Sequence, residues 1–336
     1  MKPKVSQVVL GNNYTPFSFD PYYGCGYGCR YCFARDYREL RTVSCDIHSH
    51  LKSFNTVIKE NLHELQDFCT NAKNNVNIEA LAFNERIPLQ IGVNSDPFPE
   101  REISENHTKN VIEILSKYDY PIIICTKNLT AISENINFYK DKNILVKYSL
   151  TTTDDNIKSK LEPYAPKYYD MQKCIEKIAN SGIRLSIRNR PALPHLALTE
   201  IDLQNLVNIG ICGFEIGFMR IKNTLNEKCR NFINQISNIV NDDLMAYFNG
   251  NRNKKTKYNN QISLEYSVFS DIIKMYKGIL LKNNVKFWIN ERNYGTCGNG
   301  WEFLRDCKID NYNGKYPQFE AEKFMKKRYE MVKNNI

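Results

Sequence analysis

The chain has 336 residues, 42% of them hydrophobic, which is enough for one large domain or two small domains with a substantial core. A mean hydropathy of −0.51 and the lack of any long apolar run argue against a membrane-spanning protein. The 46 lysines and arginines exceed the 37 acidic residues and give a net charge of +9. This charge favours contact with nucleic acid, although a solvated lysine surface explains it equally well.

The cysteine content and the first residues predict a cytoplasmic protein. The chain begins Met-Lys-Pro-Lys-Val-Ser, without the apolar segment of a signal peptide. Its 11 cysteines are an odd number and do not indicate a disulfide framework. Three of them lie close together near the start of the chain, which favours a reducing compartment and a metal site.

Short apolar runs alternate with amphipathic segments up to about residue 220, a rhythm that predicts βα units and a parallel sheet. Helices are predicted at 52–70, 106–118, 170–181 and 199–208, the last with a Thr-x-x-Asp capping pattern. We therefore expect an α/β fold, a partial (β/α)6 barrel of the TIM type, with its chemistry at the carboxyl ends of the strands. The six predicted strands are 17–22, 88–93, 122–126, 144–150, 183–187 and 213–218.

The alternation stops after residue 222, which divides the chain into a predicted core barrel over 1–222 and a C-terminal extension over 223–336. We expect the extension to cap the barrel or to contact the substrate. It contains a basic polar loop at 249–258, a predicted helix at 262–281, a late strand at 285–289 and a helical tail at 320–335. Cys297 and Cys307 lie in a segment that we expect to close the barrel.

The clustered cysteines are the most informative feature. Cys25, Cys29 and Cys32 have the spacing Cys-x3-Cys-x2-Cys. Three thiolates this close in sequence can bind three irons of a 4Fe–4S cluster and leave the fourth iron open to a small molecule. Zinc is the alternative, and it needs a fourth ligand such as Cys45 or His48, with His50 a third choice.

Polar side chains follow several predicted strands at their carboxyl ends. Ser95 lies in a polar turn after the second strand, and Lys127 follows the third. Ser149 and Thr151 share one face at the end of the fourth strand. Arg188 ends the fifth, and its guanidinium group is suited to a carboxylate or phosphate. Each residue alone is also typical of an ordinary turn or strand.

The cysteine spacing, with Tyr31 directly before the third cysteine, resembles the signature of the radical S-adenosylmethionine (SAM) superfamily. Further segments resemble the branch related to spore photoproduct lyase, over roughly residues 17–220. They are Asp-Pro-Tyr-Tyr-Gly-Cys at 20–25, Cys-Phe-Ala-Arg at 32–35, Asn-Ser-Asp-Pro-Phe at 94–98, Thr-Lys at 126–127, Ser-Leu-Thr at 149–151 and Leu-Glu-Pro-Tyr-Ala-Pro at 161–166.

This resemblance implies that the three cysteines hold a 4Fe–4S cluster whose open iron binds SAM. One electron, from a partner such as flavodoxin or ferredoxin, then cleaves SAM to methionine and a 5′-deoxyadenosyl radical, which abstracts hydrogen from a substrate. That substrate is a nucleic acid base, a peptide or a small metabolite, and the branch and the charge favour the base. Lys127 would meet the methionine carboxylate, with Arg188 nearby. The resemblance places Tyr31 beside the adenine and lines the SAM site with Ser95, Lys127, Ser149 and Thr151.

The chain departs from the lyase at the hydrogen-donor position. The lyase is expected to use a cysteine two residues before the serine matched by Ser95, and this chain has Val93 there. Because valine cannot replace a thiol, the dimer-repair activity is not transferred. Cys125 and Cys212 are the substitutes nearest to predicted strand ends, although buried cysteine is usually a packing residue. The alternative function is a non-catalytic protein that binds nucleic acid and has a zinc knuckle or a redox-sensing iron–sulfur cluster.

Overall fold

The structure, a computed structural model, describes most of the chain between residues 57 and 289 together with parts of the N-terminal region. The three clustered cysteines and all predicted cofactor-binding residues are included. The predictions for 250–258, for Cys297 and Cys307, and for the tail apart from Glu330 lie outside the described residues. The described ranges are 4–5, 17–23, 25–32, 57–58, 62–75, 77–84, 86–222, 227–249, 261–263, 266–289 and 330.

Parallel strands form the centre of the molecule. The described strands are β1 (Lys4–Val5), β2 (Phe17–Phe19), β3 (Tyr22–Tyr23), β4 (Val57–Ile58), β5 (Leu89–Ile91), β6 (Ile122–Thr126), β7 (Ile144–Ser149), β8 (Arg184–Ala192), β9 (Gly213–Phe218), β10 (Arg220–Lys222), β11 (Gln261–Ser263) and β12 (Lys286–Ile289). The main sheet has the order β1-β2-β5-β6-β7-β8-β9-β12. Its neighbours are all parallel except β1, which is antiparallel to β2. The pairs β3–β4 and β10–β11 are antiparallel and lie outside this sheet.

Helices connect the successive parallel strands, as a βα architecture requires. The described helices are α1 (Leu62–Asn71), α2 (Ile78–Asn84), α3 (Glu102–Glu105), α4 (His107–Ser116), α5 (Thr130–Glu134), α6 (Ile136–Tyr139), α7 (Asp155–Leu161), α8 (Tyr168–Asn180), α9 (Glu200–Ile209), α10 (Glu227–Val240), α11 (Leu244–Asn249) and α12 (Tyr266–Lys282). Among the described residues, no helix is both long and apolar enough to cross a membrane.

The predicted α/β barrel is confirmed, with one parallel strand more than the six predicted. Each predicted strand overlaps an observed one, namely β2 and β5 to β9, and β8 continues to Ala192, beyond the predicted end at 187. The late strand that we placed in the extension, β12, pairs in parallel with β9 and becomes the seventh. Its last residues, Trp288 and Ile289, are buried, so this segment contributes to the same core. The domain division at residue 222 stays a prediction.

The helix predicted over 52–70 was wrong at its start, where two β-branched residues precede the observed helix. Val57–Ile58, inside the predicted helix 52–70, forms β4 and pairs with β3, and the helix begins only at Leu62. Two adjacent β-branched residues fit an extended strand better than a helix turn. The capping pattern was right, because the Thr199 side chain accepts a hydrogen bond from the Asp202 backbone N–H and the Asp202 carboxylate accepts one from the Thr199 N–H.

The two faces of the sheet differ in polarity. On one face Phe214 of β9 packs edge-on against Tyr276 of α12, with ring centroids 5.3 Å apart. Side chains alternate along a strand, so Glu215 points to the opposite face. Its cross-strand partner Arg188 shares that face. Helices therefore cover an apolar outer face, while the inner face of the partial barrel carries charges.

Gly92 directly follows β5, and the close contact at this position predicts a large loss of stability when Gly92 is substituted. Its φ is +88°, and a Cβ there would lie 2.1 Å from the carbonyl oxygen of Cys125. Gly182 has a similar φ of +83° with nothing within 4 Å of an added Cβ. Gly182→Ala should therefore lower the free energy of unfolding by about 1 kcal/mol through backbone strain alone. Gly92→Ala should cost about 2 kcal/mol or more beyond that, measured by urea denaturation. Equal losses in the two variants would contradict this packing argument.

Candidate functional site

The cysteine loop, residues 25–32, lies against the carboxyl ends of the parallel strands. Tyr27 donates its hydroxyl hydrogen bond to the backbone oxygen of Phe98, which follows β5, at 2.6 Å. The hydroxyl of Tyr31 lies 2.7 Å from Oγ1 of Thr151, which follows β7. Both partners follow carboxyl ends of strands, so the loop occupies the edge where barrels of this type carry their chemistry.

A second segment, residues 160–164 at the end of α7, holds the cysteine loop from another side. The backbone N–H of Arg30 donates to the carbonyl oxygen of Leu161 at 2.8 Å, and the Arg30 Nε donates to that of Lys160 at 2.7 Å. The backbone N–H of Tyr164 donates to the carbonyl oxygen of Tyr27 at 3.3 Å. This segment was part of the family resemblance, and the structure gives it a physical role as the support of the loop.

The three thiols lie near one another. Cys29 is buried, and Cys25 and Cys32 are half-buried. Burial, followed by the charge of Asp96, raises the pKa of Cys25 to about 12, and Cys32 adds to this effect. Burial also raises the pKa of Cys29 well above its usual value, with further contributions from Cys25 and Cys32. A bound cation reverses such shifts, because thiolates are the form that ligates metal.

This donor set fits an iron–sulfur cluster, since three soft sulfur ligands share one short loop. Among the described residues, no group of three or more His, Cys, Asp or Glu side chains is already placed to hold a metal ion. Cys45, His48 and His50, the alternative zinc ligands, lie outside the described residues.

Asp96 ties the polar turn after β5 to the end of β6. One carboxylate oxygen accepts hydrogen bonds from Thr126 Oγ1 at 2.7 Å and from the Phe98 N–H at 3.0 Å, and the other accepts from the Lys127 N–H at 2.7 Å. Burial raises the pKa of Asp96 to about 6, against the opposing effect of these donors. Ser95, in the same turn, donates to the backbone oxygen of Tyr22 at 2.7 Å. The turn is therefore fixed by hydrogen bonds at both of its sides.

A buried carboxylate, Glu162, contacts two lysines and a tyrosine. Its Oε1 lies 2.8 Å from Lys127 Nζ and also accepts from the Tyr31 hydroxyl. Its Oε2 accepts from the Lys158 ammonium group. Burial opposes ionisation of Glu162, but the two lysines outweigh it and lower its pKa to about 2. Lys127 Nζ also donates to the Tyr31 hydroxyl at 2.9 Å and to the Ser149 carbonyl oxygen at 3.4 Å.

A second buried carboxylate lies on the inner face of the sheet. Glu215 of β9 pairs with Lys147 of β7 at 2.7 Å, and both side chains are fully buried. Arg188 Nε lies 3.6 Å from the other oxygen of Glu215. Burial opposes ionisation of Glu215, but Lys147 and Arg188 outweigh it and lower its pKa to about 2. This Lys147–Glu215–Arg188 cluster crosses three neighbouring strands.

The structure brings most of the predicted cofactor-binding residues together. Tyr31, Lys127, Ser149 and Thr151 form one contact group with the cysteine loop. Ser95 lies in the adjoining turn and contacts Tyr22. Arg188 is directed at Glu215 on the inner face.

Sequence reasoning missed the partners of these residues. Glu162 and Lys158 were given no role, and neither were Lys147 and Glu215. A signal was present for the latter pair, since a lone charge inside an apolar strand is rarely buried unless it is paired. Lys158 and Glu162 are four residues apart, which places them on one side of a helix turn.

The candidate replacements for the missing thiol at Val93 differ in position. Cys125 is the penultimate residue of β6, on the inner face beside Lys147, and its sulfur accepts a hydrogen bond from Gln90 Nε2 at 3.3 Å. Cys212 directly precedes β9, at the amino edge of the sheet. The cysteine loop lies at the carboxyl edge, so the prediction that Cys212 could serve as a hydrogen donor near that loop is wrong.

Comparisons with known proteins support the fold. No family model matches the chain. An uncharacterized protein of Methanocaldococcus jannaschii is 23% identical over 192 residues, or 57% of this chain, and the chain spans 64% of that protein's length. Spore photoproduct lyase complexed with dinucleoside spore photoproduct aligns with a TM-score of 0.58 at 14% identity, over 86% of this chain and 79% of that one. A double mutant of that enzyme with bound AdoMet and dinucleoside spore photoproduct aligns with a TM-score of 0.55 at 13% identity, over 84% and 79%.

The chain thus has the fold of spore photoproduct lyase, an open parallel sheet in a partial TIM barrel. This agrees with the branch that the sequence motifs resemble. At these identities the alignments describe the fold, and the chemistry has to be argued from the residues at the site.

The Lys147–Glu215–Arg188 cluster predicts a pH-dependent loss of stability. Glu215→Gln removes the carboxylate between two cations and should lower the free energy of unfolding by about 3 kcal/mol at pH 7. The folded-state pKa is depressed to about 2, so the carboxylate stabilises the fold fully above its unfolded pKa of about 4.3. The difference between wild type and variant should therefore shrink as the pH falls from about 4 towards 2, as measured by urea denaturation at each pH.

Glu134→Gln is the matched control, because Glu134 is an exposed carboxylate on α5. It should change the free energy of unfolding by less than about 0.5 kcal/mol at any of these pH values. A Glu215→Gln effect as small as the control, or one that does not depend on pH, would contradict the role assigned to the cluster.

Proposed function

We propose that this protein is a radical SAM enzyme in which Cys25, Cys29 and Cys32 hold a 4Fe–4S cluster. The observation that carries the proposal is the position of the cysteine loop. It lies at the carboxyl edge of the parallel sheet, and Tyr31 of the loop contacts both Lys127 and Thr151 there. A structural zinc knuckle has no need of such a set of strand-end side chains.

Each residue of the contact group has a role in this proposal. When bound, the cluster supplies the electron that cleaves SAM to methionine and a 5′-deoxyadenosyl radical. Lys127 binds the methionine carboxylate, because a partly buried ammonium group forms strong hydrogen bonds to carboxylates. Tyr31, Ser149 and Thr151 line the SAM site beside it, and Asp96 fixes the backbone of Lys127. The loop contacts with Phe98 and Leu161 keep the cysteines in place at the sheet edge.

The proposed substrate is a nucleic acid base, and the proposed electron donor is a flavodoxin or ferredoxin. Support for the substrate comes from the net charge of +9 and from the fold likeness to an enzyme whose structure contains dinucleoside spore photoproduct. Val93 takes the place of the lyase's thiol donor, so we assign only the hydrogen-abstraction step, which forms 5′-deoxyadenosine and a substrate radical, and we do not assign dimer repair.

The test is SAM cleavage by protein purified without oxygen and reconstituted with iron and sulfide. Dithionite and SAM are added with and without DNA or RNA oligonucleotides, and 5′-deoxyadenosine is measured. We expect 5′-deoxyadenosine to form. A colourless protein with one bound zinc would overturn the proposal in favour of the zinc alternative. A brown protein that leaves SAM intact, with and without oligonucleotides, would favour a redox-sensing cluster.

Cys29→Ala should abolish both the cluster and SAM cleavage, because two thiolates are too few to hold a 4Fe–4S cluster at this loop. The measurements are iron per chain and 5′-deoxyadenosine formed. Cys69→Ala is the matched control, since Cys69 is a buried cysteine on α1, away from the loop, and it should keep full iron content. Cleavage retained by Cys29→Ala would rule out the cluster assignment.

Lys127→Met should weaken SAM binding by about tenfold or more while the iron content stays unchanged. The loss of one charge-assisted hydrogen bond to the carboxylate accounts for this magnitude. Affinity is measured by anaerobic titration calorimetry. Lys140→Met, an exposed lysine near the start of β7, is the control and should bind SAM like wild type. An unchanged affinity in Lys127→Met would remove that residue from the SAM site.

A further inference from the structure

Glu162 has one cation for each of its two oxygens. Lys127 comes from the end of β6 and contacts Oε1, while Lys158 comes from α7 and contacts Oε2. The side chain of Glu162 is fully buried and that of Lys158 is 2% exposed. A buried carboxylate needs pairing, and one well-placed lysine satisfies that need. The second lysine is therefore the feature that requires an explanation.

The other charges around Lys127 do not provide that explanation. Asp96 lies close by, but its oxygens are held by the Thr126 hydroxyl and by two backbone N–H groups, one of them from Lys127 itself. The Lys127 ammonium group contacts Glu162, the Tyr31 hydroxyl and the Ser149 carbonyl oxygen. Its ion pair is thus made with the one carboxylate that Lys158 also neutralises.

We infer that Glu162 and Lys158 are positioning residues for SAM, an inference that rests on the proposed function. Glu162 holds Lys127 and the Tyr31 hydroxyl at the sheet edge before SAM binds. When the methionine carboxylate arrives, Lys127 transfers its ion pair to it, and Lys158 keeps Glu162 paired. Without Lys158, the transfer would leave Glu162 as a buried carboxylate with no cation beside it, which is strongly unfavourable in free energy.

This arrangement predicts that the effect of Lys158 depends on Glu162. Lys158→Met keeps the length of the side chain and removes the charge, so Glu162 retains Lys127 and SAM affinity should fall about tenfold. Lys158→Met combined with Glu162→Gln removes the competing carboxylate as well. Lys127 is then available to SAM, and the affinity should return to within about threefold of wild type. A packing defect caused by the loss of the Lys158 side chain would not be rescued by a second substitution.

The experiment titrates SAM into anaerobically reconstituted wild type, Lys127→Met, Lys158→Met, the double variant and Lys173→Met. Lys173 is an exposed lysine on the next helix, α8, and is the matched control. Iron per chain is measured for each protein. Binding of 5′-methylthioadenosine, which lacks the amino acid carboxylate, is measured in parallel and should be equal in all five proteins.

The outcomes separate this inference from the proposed function. Weaker binding in Lys158→Met, restored in the double variant, supports the inference. If Lys127→Met weakens SAM binding and Lys158→Met does not, the inference is wrong and the SAM site stands. If the double variant is as weak as Lys158→Met, the role of Lys158 is structural and the inference is wrong. If Lys127→Met has no effect, the SAM assignment of Lys127 fails and the inference fails with it. If Lys158→Met does not fold, the SAM affinity of the double variant tests the inference alone. An affinity close to that of wild type supports it, and weaker binding contradicts it.

Discussion

Parallel pairing of the central strands is the constraint on which this molecule depends. Because seven neighbouring strands run in one direction, the residues that follow them meet at one edge of the sheet. Phe98, Lys127 and Thr151 are far apart in sequence, yet all three lie within reach of one eight-residue cysteine loop. The loop has no regular structure of its own, and its position comes from hydrogen bonds to these strand ends and to the segment at 160–164.

Charges inside this fold are retained only where partners surround them. Lys147 and Glu215 interrupt apolar strands, and both are fully buried within one ion pair. Replacing such a pair with apolar residues often costs nothing or increases stability, so stability alone does not explain its presence. The pair makes the inner face of the barrel polar while helices cover the apolar outer face. This asymmetry separates the apolar face that the helices cover from the charged inner face of the sheet.

Features that a short segment determines could be predicted from the sequence. Contacts that depend on residues distant in the chain could not. Apolar, β-branched runs located the parallel strands, the Thr199 capping box located a helix start, and the cysteine spacing located the loop. Val57–Ile58 was placed in a helix because its strand partner lies at Tyr22–Tyr23, more than thirty residues earlier. The position of Arg188 near SAM stays a prediction, and nothing local in the sequence shows that its Nε lies 3.6 Å from Glu215 on the next strand. Glu162 was visible as a motif residue, but its contacts with Lys127 and Tyr31 exist only in the folded chain.

Asp96, Glu215 and Glu162 are held by different kinds of partner, and the difference indicates what each carboxylate does. Asp96 is held by two backbone N–H groups and a hydroxyl, so it shapes a turn. Glu215 is held by cations on neighbouring strands, so it belongs to the sheet. Glu162 alone among the three contacts the cysteine loop, a strand end and a helix at once, through Tyr31, Lys127 and Lys158. A change at Glu215 therefore acts first on the sheet, whereas a change at Glu162 acts first on the geometry between the cysteines and the residues that face them.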